Sequence, residues 1–224
     1  MSRRIKELAG LILGMAGAFG AVWLLTTWII PLIIPQKMLL RMILLFITYW
    51  LIAAVPLVVM RVQKDTFGDY GFTREQLPRQ IVTGLLIGTV SAVILILPPY
   101  LLGFGALWDN GYRFGKDVWK YGYQLIYDIG AIAAVEELVF RGFCMTKASR
   151  LFGSEWAGAA VSSVLFGLFH FSNGSIVQIL MTAAIGACWA ICKIKFRHCS
   201  LLSLIVAHGF YDFIIAAAAS LTHL

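Results

Sequence analysis

Two adjacent glutamates, Glu136 and Glu137, lie in the run Ala131-Ile-Ala-Ala-Val-Glu-Glu-Leu-Val-Phe-Arg-Gly142, where nearly every neighbour is apolar. Ionisable side chains in such surroundings are costly and mark ion paths, proton relays or catalytic sites. A helix turns by about 100° per residue, so adjacent carboxylates point to different faces. Glu137 and Arg141 are four apart and stack on one face, acid before base, where each shields the other's charge. Glu136 is left without a partner on its own helix. A carboxylate with no counter-ion in apolar surroundings holds a proton more tightly than one in water, the condition that suits a general base near neutral pH.

Two histidines extend the set. Phe166-Gly-Leu-Phe-His170 places a ring one turn before an imidazole, where it can fix the imidazole's orientation. His208-Gly-Phe-Tyr-Asp212 places a carboxylate one turn after the other, a spacing that lets the acid orient His208 and set its tautomer. Glu136, His170 and His208 together form a hydrolytic set: the carboxylate deprotonates a water, and a histidine polarises it or protonates the leaving amine. Two histidines and a carboxylate also form a zinc set, with Asp212 as a further ligand, although the His-Glu-x-x-His helix of many zinc enzymes is absent. The plainer readings are ion pairs and interhelical hydrogen bonds that staple a bundle. Two other functions use the same residues: a proton- or ion-coupled transporter, and a non-catalytic membrane scaffold or immunity protein. Neither inverted repeats nor paired broken helices support the transporter.

The elements that must position these residues are membrane spans. Of the 224 residues 60% are hydrophobic and 13% charged, and mean hydropathy is +0.85. Soluble domains carry about a quarter charged residues, so the solvent of this chain is largely hydrocarbon. Seven apolar stretches, at about 8–34, 38–60, 80–102, 123–147, 156–174, 175–193 and 200–220, each approach the ~20 residues that cross a bilayer as a helix. The expected fold is all-α: a polytopic membrane protein, a single transmembrane domain over 1–224. Three N-terminal spans and their loops (1–122) precede a catalytic bundle of the C-terminal four (123–220). The first span follows Arg3, Arg4 and Lys6, but it is too long for a signal peptide and reads as an uncleaved helix. Trp108, Trp119, Tyr121 and Tyr123 in or beside the long outer loop read as interfacial anchors, and Gly84 and Gly88 as a helix-packing pair.

The net charge of +7 does not indicate nucleic acid. Lys and Arg gather at the span ends that share a side with the N-terminus, leaving Lys37, Arg41, Arg113, Lys116 and Lys120 opposite. That is the positive-inside bias, with a cytoplasmic N-terminus. Its partners are the lipid bilayer and its anionic headgroups. Cys144, Cys188, Cys192 and Cys199 form no C-x-x-C pattern and read as small apolar packers. If the fourth span runs 124–146, Glu136, His170 and His208 all fall within roughly 8–10 Å of the midplane at 1.5 Å rise per residue. A common site is geometrically open to them.

Glu-Glu-x-x-x-Arg at 136–141, Phe-x-x-x-His at 166–170 and His-x-x-x-Asp at 208–212 resemble the motifs of the CAAX-protease and bacteriocin-processing (CPBP, or Abi) family of intramembrane endopeptidases. The resemblance covers about residues 123–220 and matches in order, spacing and placement in the spans. It implies hydrolysis of a membrane-anchored or hydrophobic peptide or protein, in the cytoplasmic membrane of a prokaryote. Glu136 and His170 would activate water, His208 and Asp212 would stabilise the oxyanion, and Glu137 and Arg141 would support the site with Phe166. The prenyl-protein processing members carry Asn where this chain has Asp212. An ionised carboxylate accepts hydrogen bonds only and would repel an oxyanion, so orienting His208 is the better role for it. The family is described both as glutamate-type and as metal-dependent, so a divalent metal such as zinc, held by Glu136, His170, His208 and Asp212, stays open.

Overall fold

In the computed structural model, residues 3–102, 114–173 and 176–221 are described, and every regular element among them is helical. There are seven helices among these residues, in the order of the seven apolar stretches. α1 is Arg3–Ile33 and α2 is Met38–Gln63. α3 is Leu77–Leu101, and α4 runs through 118–152. α5 is Glu155–Phe169, α6 Ile176–Lys195 and α7 Leu201–Leu221.

Five of the seven, all but α4 and α5, are long and apolar enough to cross a membrane. The two exceptions differ from the expected seven spans for physical reasons. α5 has 15 residues, which at 1.5 Å each rise only about 22 Å, short of a ~30 Å hydrocarbon core. α4 carries Asp128, Glu136, Glu137, Arg141 and Lys147, all buried inside the protein. The outward faces are the reverse: Leu13, Trp23, Val58, Leu86, Ile94 and Leu180 are all more than half exposed. Ionisable groups inside and a continuous apolar exterior define a polytopic α-helical membrane protein.

Local sequence explains where the helices bend and stop. In α1 a π-helical turn, Leu25–Ile29, precedes Pro31, which has no N–H to give to the preceding turn. α2 is two segments, Met38–Tyr49 and Leu51–Gln63, joined at Trp50, with Pro56 inside the second. α4 ends at Gly153, whose φ of 70° is the left-handed conformation that favours glycine. Ser154 follows at once as the N-cap of α5, its hydroxyl accepting from the Ala157 N–H at 3.3 Å.

The packing does not set the C-terminal four helices apart as a separate bundle. α7 lies along α3 and also packs on α4, while α1 packs on α2 and the end of α4. A Cβ on Gly84 or Gly88 would collide with the backbone of Ser203 or Ala207, so this pair sets the close approach of α3 to α7. Tyr123 is a tie between helices rather than an interfacial anchor, its hydroxyl donating to the Met42 carbonyl at 2.9 Å. Trp119 is exposed, Tyr121 packs edge-on against Phe114, and Trp108 lies outside the described residues.

Candidate active site

Glu136 and Glu137 occupy a single α-helical turn, Ala134–Glu137, between two π-helical stretches, Asp128–Ala133 and Leu138–Cys144. Wide turns of this kind shift the angular position of side chains on either side and recur at functional sites. Both carboxylates point into the protein, at 3% and 0% exposure.

Glu137 Oε1 accepts from Arg141 Nη1 at 3.0 Å and lies 2.8 Å from His208 Nδ1. A carboxylate oxygen accepts, so Nδ1 carries a hydrogen, and Nε2 is aimed into the site. The expected pairing of Glu137 with Arg141 is therefore present, with a second task that spacing along α4 cannot reveal. Arg141 is fully buried, its guanidinium 4.0 Å from the centre of the Phe166 ring and 5.6 Å from that of Trp189. Gly186 makes room for it: a Cβ there would lie 2.7 Å from Arg141 Nη2.

Glu136 finds its partner on α2, where the Tyr49 hydroxyl donates to Oε1. Its Oε2 is buried with no hydrogen-bond partner among the described residues. This oxygen lies 4.0 Å from His170 Nε2 and 3.8 Å from His208 Nε2. The three residues read from separate segments thus meet around one carboxylate oxygen. His170 closes the C-terminal end of α5, and its Nδ1 lies 2.9 Å from the Phe166 carbonyl oxygen. A carbonyl only accepts, so Nδ1 carries the hydrogen and Nε2 presents a lone pair to Glu136. The Phe166 ring stands edge-on to both imidazoles, with centroids 5.0 Å from His170 and 5.9 Å from His208.

Asp212 meets His208, as its i,i+4 spacing suggests, but it shares the ring with Glu137. Its Oδ2 is 3.3 Å from His208 Nε2, the nitrogen that faces Glu136, while Glu137 holds Nδ1. Glu137 is the better-placed orienting group, and Asp212 sits on the open side of the ring. Asp128 is buried one helical stretch away, accepting from Gln124 at 2.8 Å, and forms no hydrogen bond with these residues.

The donor types suit zinc, but the spacing is loose. Tetrahedral ligands on arms of about 2.0–2.1 Å lie about 3.3 Å apart, whereas Glu136 Oε2 is 3.8 and 4.0 Å from the two imidazole nitrogens. Among the described residues no group of three or more His, Cys, Asp and Glu is arranged to hold a metal ion. The set as it stands does not fit a metal.

Two residues of the site escaped the sequence reading. Tyr49 is the tyrosine of α2, and a phenol in the apolar middle of the span was the available signal. Trp189 packs on His208 with centroids 4.7 Å apart and donates to Ser91 at 3.1 Å. Nothing in its local sequence singled it out.

The architecture and the site define a helical membrane protein with a buried carboxylate–imidazole centre. Residues 117–214 match the family model described as type II CAAX prenyl endopeptidase Rce1-like. No curated protein and no solved structure matches the chain. The matched segment is similar to that family over less than half of the chain, and it holds every residue of the centre except Tyr49.

Proposed function

We propose that the protein is an intramembrane endopeptidase in which Glu136 activates the attacking water. The observation that carries this reading is the unpartnered Glu136 Oε2 set 4.0 Å from His170 Nε2. That separation is too long for a direct hydrogen bond and is what one water spans with two bonds of roughly 2.8 Å. Glu136 takes a proton from this water as its oxygen adds to the scissile carbonyl carbon, with His170 accepting the second hydrogen bond. His208 faces a carboxylate at each ring nitrogen, Glu137 at Nδ1 and Asp212 at Nε2, and so acts as an imidazolium whose Nε2–H turns from Asp212 to stabilise the oxyanion. When the C–N bond breaks, Glu136 returns the proton to the leaving amine, giving one carboxylic and one amine end.

The substrate is a membrane-anchored or otherwise hydrophobic peptide or protein. Glu136 is 3% exposed, while the His170 and Asp212 side chains are 21% and 28% exposed, so the centre opens on their side. The Rce1-like match supports the peptidase class. The test is incubation of the reconstituted protein with hydrophobic, lipid-anchored and prenylated peptides, reading new termini by mass spectrometry with and without a chelator. Cleavage that survives the chelator is the expected result. Cleavage lost with metal and restored by zinc would replace the glutamate mechanism, and proton-coupled uptake without any cleavage would replace the peptidase.

A further inference from the structure

A second polar feature lies at the other end of the bundle from the opening at His170 and Asp212. The loop before α3, the start of α3, the end of α6 and the loop before α7 line an open cavity of about 340 Å³, with walls from the 71–80 and the 193–200 segments. This end carries Lys193, Lys195, Arg197, Arg61 and Arg74, so the charge bias assigns it to the cytoplasmic side. The volume is at the lower end of the range for small-molecule sites, and the wall is mainly polar.

Lys193 carries the cationic wall. Its Nζ donates to the Arg141 carbonyl at 2.5 Å and lies 3.4 Å from the Tyr70 carbonyl oxygen. Among the described residues it has no carboxylate within ion-pair distance, although it is half-buried. Gly71, at φ 84°, lets the loop turn over it, since a Cβ there would lie 3.0 Å from Nζ. Arg197 and His198 line the same cavity from the short loop before α7. Opposing them is one carboxylate, Glu75. Cys199 adds no negative charge, because burial pushes its thiol up to about 12. Gln80 and Ser200 are bonded to each other on the cavity wall. A pocket walled by three basic side chains and one carboxylate is built for an anion rather than for an apolar guest.

We propose that this cavity binds a phosphate-bearing anion, with Lys193, Arg197 and His198 as its donors. An anionic phospholipid headgroup of the cytoplasmic leaflet and free phosphate share that chemistry. Cytoplasmic-leaflet lipids are anionic, and each basic residue near their surface contributes about a fivefold preference for them. The site is separate from the Glu136 centre, and it stands or falls independently of the peptidase reading.

The test uses the full-length protein in detergent. Native mass spectrometry measures retention of phosphatidylglycerol against phosphatidylcholine, and thermal unfolding is followed with added inorganic phosphate. Because Lys193 also ties two carbonyls, the informative variant is the surface pair Arg197→Gln/His198→Gln. Arg74→Gln, exposed on the same face but outside the cavity, is the control for diffuse attraction. Preferential retention of phosphatidylglycerol that drops at least about fivefold in the pair and not in the control supports the site with a lipid headgroup as ligand. A phosphate-dependent rise in Tm lost only in the pair, without lipid preference, supports it with free phosphate. Equal retention of both lipids with no phosphate effect, or any preference that the control loses as much as the pair, overturns it.

Discussion

Glu137 Oε1 serves two donors, Arg141 from its own helix and His208 from α7, and this sharing separates the jobs of the two glutamates. Removing Glu137 strands a buried guanidinium and frees an imidazole in one stroke. Breaking a buried pair in this way costs about 3–5 kcal/mol, so Glu137→Ala should lower the yield of folded protein as well as activity, by quantitative gel filtration and assay. A well-folded variant with normal yield would show that the pair is not structural. Tyr49 acts on the other carboxylate. Its hydroxyl occupies Glu136 Oε1 and leaves Oε2 to face the histidines. A hydrogen bond to a charged group is worth about 1.5–3 kcal/mol. Tyr49→Phe should therefore reduce kcat by about tenfold or more with a modest fall in Tm, and an unchanged kcat would make the phenol a bystander.

At the scale of elements, the centre depends on close helix approaches. α6 passes α4 at Gly186, where a Cβ would meet both Arg141 Nη2 at 2.7 Å and Phe166 Cδ1 at 2.9 Å. Gly186→Ala should displace the guanidinium and lower activity and Tm together, and a fully active, equally stable variant would show slack that the packing does not have. The helices and their order were legible in the sequence because hydropathy records which stretches leave water. Glu136, His170 and His208 were legible because each is expensive in apolar surroundings and demands a reason. What stayed hidden depends on helix register and partner choice. The π-helical turns on either side of Glu136 follow from hydrogen bonding that no residue type announces. The grip of Glu137 on His208 joins residues on two helices far apart in sequence, so spacing pointed instead to Asp212, the neighbour on the same helix. α5 looked like a full span because its apolar run continues through Phe171 after the helix has ended at Phe169.

Across the whole molecule, the carboxylate–imidazole centre and an ionic knot anchor α4 at different depths. At the charged end, Lys147 is fully buried between Glu7 of α1 at 2.9 Å and Asp65 after α2 at 2.6 Å. Arg150 adds contacts to Asp65 at 2.8 Å and Asp69 at 3.0 Å. Burial alone would raise the Asp65 carboxyl, but hydrogen bonds from Lys147, Tyr70 and Arg150 outweigh it and bring the group from 3.8 to about 2. A carboxyl lowered by folding stabilises the protein above its unfolded value and loses that contribution as pH falls through its folded value. Asp65→Asn should thus cost on the order of 1 kcal/mol near neutral pH, allowing for solvent screening. The gap in Tm to the unsubstituted protein should narrow below about pH 4 and close near pH 2. A gap that does not change with pH would remove the ionic knot from the account. The central claim is reached most directly by Glu136→Gln, assayed on a cleaved hydrophobic peptide in the same vesicles as the unsubstituted protein. Loss of a general base costs roughly 10²–10⁴ in rate, so cleavage should fall at least a hundredfold while insertion and Tm are retained. Wild-type turnover in that variant would contradict the claim.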